Sequence, residues 1–516
     1  MKKIILFDTT LRDGAQRENI SFSLEDKLKI AKLLADFGID YIEAGWPGSN
    51  PKDALFFAQV KKDKQLRNKI VAFCSTRRKN IRAENDANLL AILKSGVKTA
   101  TMVGKTSVTQ VEKVLKTTKA ENLKMIADSV SFLTKKGIKV IFDAEHFFDG
   151  FKENKRYALT CLKTASKTGA INLSLCDTNG GSLPLEIGKI VKSIKNRLKT
   201  PLGIHTHNDS GLAVANTLVG VENGAILVQG TINGYGERTG NADLTTIIPN
   251  LQLKMNCRCI PKKKLIQLTK LSKTITEIAN ETPKNDQPFV GKSAFTHKGG
   301  IHASAIGRLK TAYEHVDPKL IGNKTRVLIS ELAGRANLQA KFKEWNISNV
   351  KEELILDLLN KIKNLEQQGY SFEGAEASLK LLYHKLKKTY QPKFIPLSYE
   401  LKMNKKHSQL AKAEAKITII VNGKKIIQTA QGNGPVNALD TALRKAVIPF
   451  YQYLKNVELI DYKVRIPNEH AGTAAFTRVL ITSKNHKSYW TTVGVSTNII
   501  EASWQALIDS LEYALL

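Results

Sequence analysis

The sequence predicts an α/β protein with an N-terminal (β/α)8 TIM barrel, a helical linker subdomain and a C-terminal duplicated α+β domain. Three observations predict it. From Lys3 to about Asn256, short apolar runs alternate with amphipathic helical stretches over roughly 250 residues, the rhythm of a closed parallel barrel. Polar residues gather just beyond the ends of five of those runs, the face on which barrels place chemistry. After about Pro396 the pattern changes to β-hairpin signals, each followed by a helix. With 516 residues, more than one core usually holds, the expected division is 1–275 for the barrel, 276–395 for the linker and 396–516 for the last domain. A doubly wound open sheet is the alternative for the first part, but no Gly-x-Gly-x-x-Gly follows the first strand.

The strand candidates in order are Ile4–Thr10, Asp40–Gly45, Lys69–Cys74, Thr99–Gly104, Lys139–His146, Ile171–Asp177, Leu202–His207 and Ile226–Gly234. Helical patterns lie between them, among them Leu24–Phe37, Glu84–Ser95, Asn122–Lys136, Asn154–Thr168, Leu185–Leu198 and Gly211–Asn223. Glycines such as Gly38 and Gly137 stop helices just before the next strand. Further on, Asn349 to about Lys388 is helical, with Leu354, Leu358, Ile362 and Leu365 at helical spacing. Lys416–Lys424 is a hairpin turning on Asn422-Gly423, and Gly432–Ala438 opens a helix. Val479–Ser483, Tyr489–Gly494 and the helix Ile499–Tyr513 repeat that order, so the domain reads as duplicated, and its scarcity of acids and bases in catalytic arrangement suits regulation or oligomerisation.

Composition narrows the function classes. A hydrophobic content of 42% supports large cores, and no run of eighteen apolar residues suggests a membrane span. Asp8 and Arg12 interrupt the apolar N-terminus, which argues against a signal peptide. Five scattered cysteines point to a reducing cytoplasm, and Cys257-x-Cys259 lacks the second pair a zinc site needs. The net charge of +32 raises a nucleic-acid role, yet only 16 of the 79 basic residues are arginine, whose planar fork reads bases. The lysines are spread over nearly every helix. They read as a solvated surface, with no nucleic-acid or membrane partner expected, though the charge favours an anionic cofactor.

The chemistry centres on Gly203–Asp209, a strand end carrying His205 and His207. Residues at i and i+2 of a strand leave the same face, so both imidazoles can reach one cation, although hydrogen-bonded histidines at a strand end would look the same. Polar clusters elsewhere weigh for a site: strand one runs into Asp8–Gly14, strand five ends in Phe142–His146, strand six ends in Cys176–Asn179 and strand eight runs into Asn233–Asn241. One carboxylate, Asp13, with His205 and His207 suits Mg²⁺, Mn²⁺ or Zn²⁺ and leaves positions open for a 2-oxo acid, whose carbonyl the ion polarises. Arg12, beside Asp13, suits the alkoxide formed when a carbanion attacks. His297 and His146 read as structural.

Three motifs, Asp8-Thr9-Thr10-Leu11-Arg12-Asp13-Gly14, His205-Thr206-His207-Asn208-Asp209 and Gly236-Glu237-Arg238-Thr239-Gly240-Asn241, resemble signatures of the 2-isopropylmalate, homocitrate and citramalate synthase family. The resemblance spans essentially the whole chain. Gly45–Lys52, Ser75–Arg78 and Phe142–Gly150 are most similar to its long citramalate-forming branch, and Ala15 stands where many isopropylmalate-forming members have Glu. The resemblance implies a metal-dependent condensation of acetyl-CoA with pyruvate, followed by thioester hydrolysis, in isoleucine biosynthesis. Acceptance of 2-oxoisovalerate or 2-oxoglutarate is the near alternative, and retro-aldol cleavage the more distant one. It further implies that Asp13, His205 and His207 bind the metal, with Asn241 as a possible fourth ligand. Arg12 and Thr178 hold the 2-oxo acid, and Glu145 removes or relays the acetyl methyl proton. His302 and Tyr313 complete the site across a homodimer, and either Glu145 or His302 is the base. An amino-acid effector, isoleucine or leucine, is implied near Gly432-Asn433-Gly434-Pro435 and Gly494-Val495-Ser496-Thr497.

Overall fold

A computed structural model of the chain describes residues 1–405, 407, 412–467, 475–486 and 488–516. The chain divides into two units, Met1–Phe295 with Glu314–Thr325, and Thr296–Tyr313 with Arg326–Leu516. Among the described residues no helix is long and apolar enough to cross a membrane.

Eight parallel strands close the barrel in sequence order: β1 (Ile5–Asp8), β2 (Tyr41–Gly45), β3 (Ile70–Ser75), β4 (Thr99–Lys105), β5 (Lys139–Glu145), β6 (Asn172–Asp177), β7 (Leu202–Thr206) and β8 (Ala225–Gly230). β1 returns to β8 with Ile5 opposite Leu227 and Asp8 opposite Gly230. Outward residues such as Leu6, Ile42, Ala72, Phe142, Leu173, Ile204 and Val228 are buried in the core shared with the surrounding helices. Those helices are α1 (Leu24–Phe37), α2 (Pro51–Val60), α3 (Ala87–Ser95), α4 (Lys119–Lys135), α5 (Phe147–Lys167), α6 (Pro184–Lys195), α7 (Ala213–Glu222) and α8 (Leu244–Pro249). α1 shows why the boundaries fall where they do. Ser23 and Asp26 close a reciprocal cap at its start, and Gly38, at φ 114°, ends it.

Several boundaries depart from the sequence reading, each for a local reason. β1 stops at Asp8, not Thr10, because Asp8 turns its carboxylate onto the amide and hydroxyl of Thr10. β7 ends at Thr206, and His207 instead forms an isolated bridge with Asn241. β8 ends at Gly230, and Ile232–Gly234 becomes a tight turn with Asn233 at φ 65°. α3 starts at Ala87, not Glu84, since Asp86 accepts from the amides of Asn88 and Leu89. α5 begins at Phe147, directly after His146 at φ 54°, and breaks at Asn154, whose side chain accepts from Tyr157 N. The expected start at Asn154 is thus the second half of one kinked helix. α2, unmarked in the sequence reading, is capped by Asn50 and opened by Pro51.

The second unit contains α10 (Gly300–Arg308), α11 (Arg335–Glu344), α12 (Glu352–Gln367) and α13 (Glu376–Lys385), while α9 (Leu268–Ile278) belongs to the first. The predicted helical stretch 349–388 is therefore two helices. Two β-β-β-α repeats follow. The first is β9 (Phe394–Asn404), β10 (Lys412–Val421), β11 (Lys424–Gly432) and α14 (Pro435–Val447). The second is β12 (Glu458–Arg465), β13 (Thr477–Lys484), β14 (Tyr489–Ser496) and α15 (Ile499–Ala514). Asn422 and Gly423, at φ 49° and 75°, make the predicted tight hairpin. The duplication carries one more strand per repeat than its sequence signal, an edge strand in each sheet. Helix and strand approach so closely that a Cβ on Gly494 would lie 1.9 Å from the Ala502 carbonyl oxygen. Gly494→Ala is expected to destabilise this unit by about 1–3 kcal/mol. Thermal unfolding checks it, and an unchanged melting temperature would contradict the contact.

Candidate active site

Inward-facing side chains of the barrel stack in layers, because alternate strand residues share a face. Phe7, Val71, Ile141 and Leu227 form an apolar floor. Two residues further along their strands stand Phe73, Asp143 and Gln229, with Glu43 and Ser174. Next come Lys105 opposite Glu145, and Cys176 opposite His205. The middle layer is tied together: Gln229 Nε2 donates to Asp143 Oδ1 at 2.8 Å and to Ser174 Oγ at 3.0 Å. Burial pushes Asp143 up to about 7, with Glu43 adding to it. Burial likewise pushes Asp8 up to about 7, against the bonds it receives from Thr10.

Asp13 sits beyond β1 in a turn where the amides of Arg12 and Gly14 both donate to the Thr9 carbonyl. Asp13 Oδ2 is 3.3 Å from His205 Nε2 and 3.9 Å from His207 Nε2, and the two ring nitrogens are 3.0 Å apart. One ligand atom from each residue falls within 4.8 Å of the others, and all three residues are buried. Burial would raise Asp13, yet Arg12 and the two imidazoles hold it below the usual carboxylate range. Burial would lower His205, but the bond and charge of Asp13 raise it. His207 is pushed down to about 3 by burial and by His205. Such a cluster suits a cation: one hard oxygen and two imidazole nitrogens converge on a point. Around it, His205 Nδ1, His207 Nδ1 and Asn241 Oδ1 are buried without a hydrogen-bond partner among the described residues.

Each remaining candidate can be placed. Arg12 Nε donates to Glu43 Oε2 at 2.5 Å, its guanidinium carbon lies 4.1 Å from the Phe73 ring centre, and its Nη1 is 3.5 Å from Asp13. Glu145 is the last residue of β5 and pairs with Lys105 at 2.6 Å. Thr178 Oγ1 accepts from His146 N at 2.8 Å, tying the end of β6 to that of β5. His146 stands at this turn in a left-handed conformation. Asn241 is bridged to His207 and donates through Nδ2 to the Tyr235 carbonyl. His302 and Tyr313 belong to the second unit, where their rings stack with centres 4.0 Å apart. Sequence reasoning missed Glu43, Phe73 and Lys105. The available signal for Glu43 was one acid inside the otherwise apolar run Tyr41–Gly45.

The closed barrel with a buried carboxylate–imidazole cluster at its mouth defines a class, and the comparisons identify it. The HMGL-like family model matches residues 3–275, a homocitrate synthase post-HMGL domain-like model residues 289–370, and the LeuA allosteric (dimerisation) domain residues 373–515. The chain belongs to the HMGL-like family. Within it, the chain is 49% identical to an (R)-citramalate synthase of Geobacter sulfurreducens, covering 100% of this chain and 98% of the relative. It is 50% identical to an (R)-citramalate synthase of Aquifex aeolicus, over 100% and 98%. Identity falls to 30% with a 2-isopropylmalate synthase of Methanocaldococcus jannaschii, over 99% and 94%.

Proposed function

We infer that the chain is an acyltransferase that condenses acetyl-CoA with pyruvate and hydrolyses the thioester, giving (R)-citramalate and CoA. Full-length identity near one half with (R)-citramalate synthases supports the choice of acceptor. The observation that carries the chemistry is the convergence of Asp13, His205 and His207 within 4.8 Å at the barrel mouth.

Asp13, His205 and His207, with Asn241 as a fourth candidate, would hold a divalent ion (Mg²⁺, Mn²⁺ or Zn²⁺), which when bound supplies Lewis acidity to the keto carbonyl. Arg12, fixed through Nε by Glu43, keeps its Nη donors for the oxygen that gains charge during attack. Thr178 accepts one bond from His146 N, which leaves its hydroxyl proton for the substrate carboxylate. Glu145 takes the proton from the acetyl methyl group, and the C–H electron pair moves towards the thioester oxygen. The stacked His302 and Tyr313 contribute to catalysis in a homodimer. The C-terminal unit senses an end-product amino acid, isoleucine or leucine, near Gly432–Pro435 and Gly494–Thr497, which lie at the strand-to-helix junctions before α14 and α15 and not in free turns, in a cytoplasmic enzyme of isoleucine biosynthesis. The match to an allosteric dimerisation domain supports both roles of that unit.

A panel of 2-oxo acids tests the assignment. With acetyl-CoA and added metal, thiol release is expected to show kcat/KM for pyruvate above that for 2-oxoisovalerate by about 10–200-fold, the discrimination that apolar pockets achieve. Preference for 2-oxoisovalerate would move the chain to the leucine-pathway reaction.

A further inference from the structure

Lys105 is a charged side chain aimed into the barrel. Thr99, Thr101, Val103 and Lys105 share one face of β4, as Ile141, Asp143 and Glu145 share the corresponding face of β5. Ile141 lies in the apolar floor, so these are the inward faces, and Lys105 and Glu145 are the last inward residues of two neighbouring strands. Their side chains are 19% and 24% exposed, and Nζ lies 2.6 Å from Glu145 Oε2.

Strand pairing does not need this contact. Lys105 and Glu145 are already opposite each other in the β4–β5 ladder. The Glu145 carbonyl accepts from both Thr106 N (3.1 Å) and Thr106 Oγ1 (2.7 Å). On the other side, buried Asn122 donates from Nδ2 to the Lys105 carbonyl at 2.9 Å and to the Tyr157 hydroxyl at 2.8 Å. The backbone on both sides is therefore held without the lysine ammonium. What remains for the ammonium is the carboxylate, which has single bonds to turn about and stands in a half-open mouth.

We propose that Lys105 is a positioning residue for the reaction: its ammonium anchors the Glu145 carboxylate so that one oxygen faces the acetyl methyl group. This rests on Glu145 as the group that takes the proton. When the proton moves from the methyl carbon to a Glu145 oxygen, the C–H pair becomes the enolate and the thioester oxygen takes the charge. The now protonated carboxyl stays tethered to Nζ and regenerates the carboxylate by releasing that proton to solvent.

Steady-state kinetics on the full chain with metal, using acetyl-CoA and its methyl-deuterated form, test the proposal. Lys105→Met is expected to lower kcat about 10–100-fold, short of the full effect of a general base. KM for pyruvate and the melting temperature are expected to stay near their original values, and the deuterium isotope effect on kcat/KM for acetyl-CoA to rise. Lys105→Arg is expected to restore most of kcat and the original isotope effect. Equal losses in both variants with an unchanged isotope effect would overturn the proposal, as would Lys105→Met turning over at the original rate. Glu145→Gln separates the two levels. Its collapse beside an unaffected Lys105→Met removes only the positioning role, whereas an active Glu145→Gln removes both readings.

Discussion

His207→Ala is expected to lose turnover by at least about 10³-fold while its melting temperature changes little. The two halves of that expectation have separate causes. Turnover depends on three ligand atoms converging, and His207 supplies one of them from a buried position. Stability depends on what the ring does in the folded chain without a cation. His207, pushed down to about 3 by burial and His205, is neutral there, so its removal breaks no ion pair. The shorter contact of the cluster, Asp13 Oδ2 with His205 Nε2 at 3.3 Å, is left standing. Activity with excess Mg²⁺, Mn²⁺ or Zn²⁺, retained metal after desalting and a thermal melt together read the result. Metal-dependent turnover near the original level would remove the cluster from the mechanism.

The barrel was legible because parallel strands covered on both faces read as near-continuous apolar runs. Lys69–Cys74 and Ile171–Asp177 are of that kind, and they became β3 and β6 with ends shifted by a residue. Asp13, His205 and His207 were legible for the converse reason, since polar residues at the open end of such runs have no packing role. Strand ends were harder, because side chains decide them: Asp8 folding back on Thr10 shortens β1, and Asn241 captures His207 from the end of β7.

Residues whose meaning depends on a neighbouring strand were not legible. Glu43 is only one acid in an apolar run until β2 pairs with β1 and brings it against Arg12, a residue distant in sequence. Lys105 acquires its meaning from the residue opposite it on β5. In the C-terminal unit β9 and β12 escaped notice because edge strands carry polar alternation and tolerate proline, as Pro396 shows. The same physics explains both cases. Local apolar pattern reports what is covered, and says little about which partner covers it.

Arg12→Lys is expected to lower kcat by about 10²–10³-fold although the charge is kept. Arg12 does three things at once: Nε binds Glu43 at 2.5 Å, the guanidinium plane lies over Phe73, and Nη1 faces Asp13 at 3.5 Å. A lysine ammonium is a point with no planar fork. Drawn to the fully buried Glu43, it withdraws its donors from the mouth; kept at the mouth, it leaves Glu43 buried and unpaired. Arg12→Ala takes the second course outright and is expected to cost about 3 kcal/mol of stability besides its activity. Adding Glu43→Gln to Arg12→Ala is expected to recover part of that stability and none of the turnover, because the uncompensated charge is gone while the donor to the reacting oxygen is still missing. Rates and melting temperatures of the three variants separate the two roles. Arg12→Lys within a few-fold of the original rate would show that charge alone suffices, and the guanidinium would then have no part in the transition state.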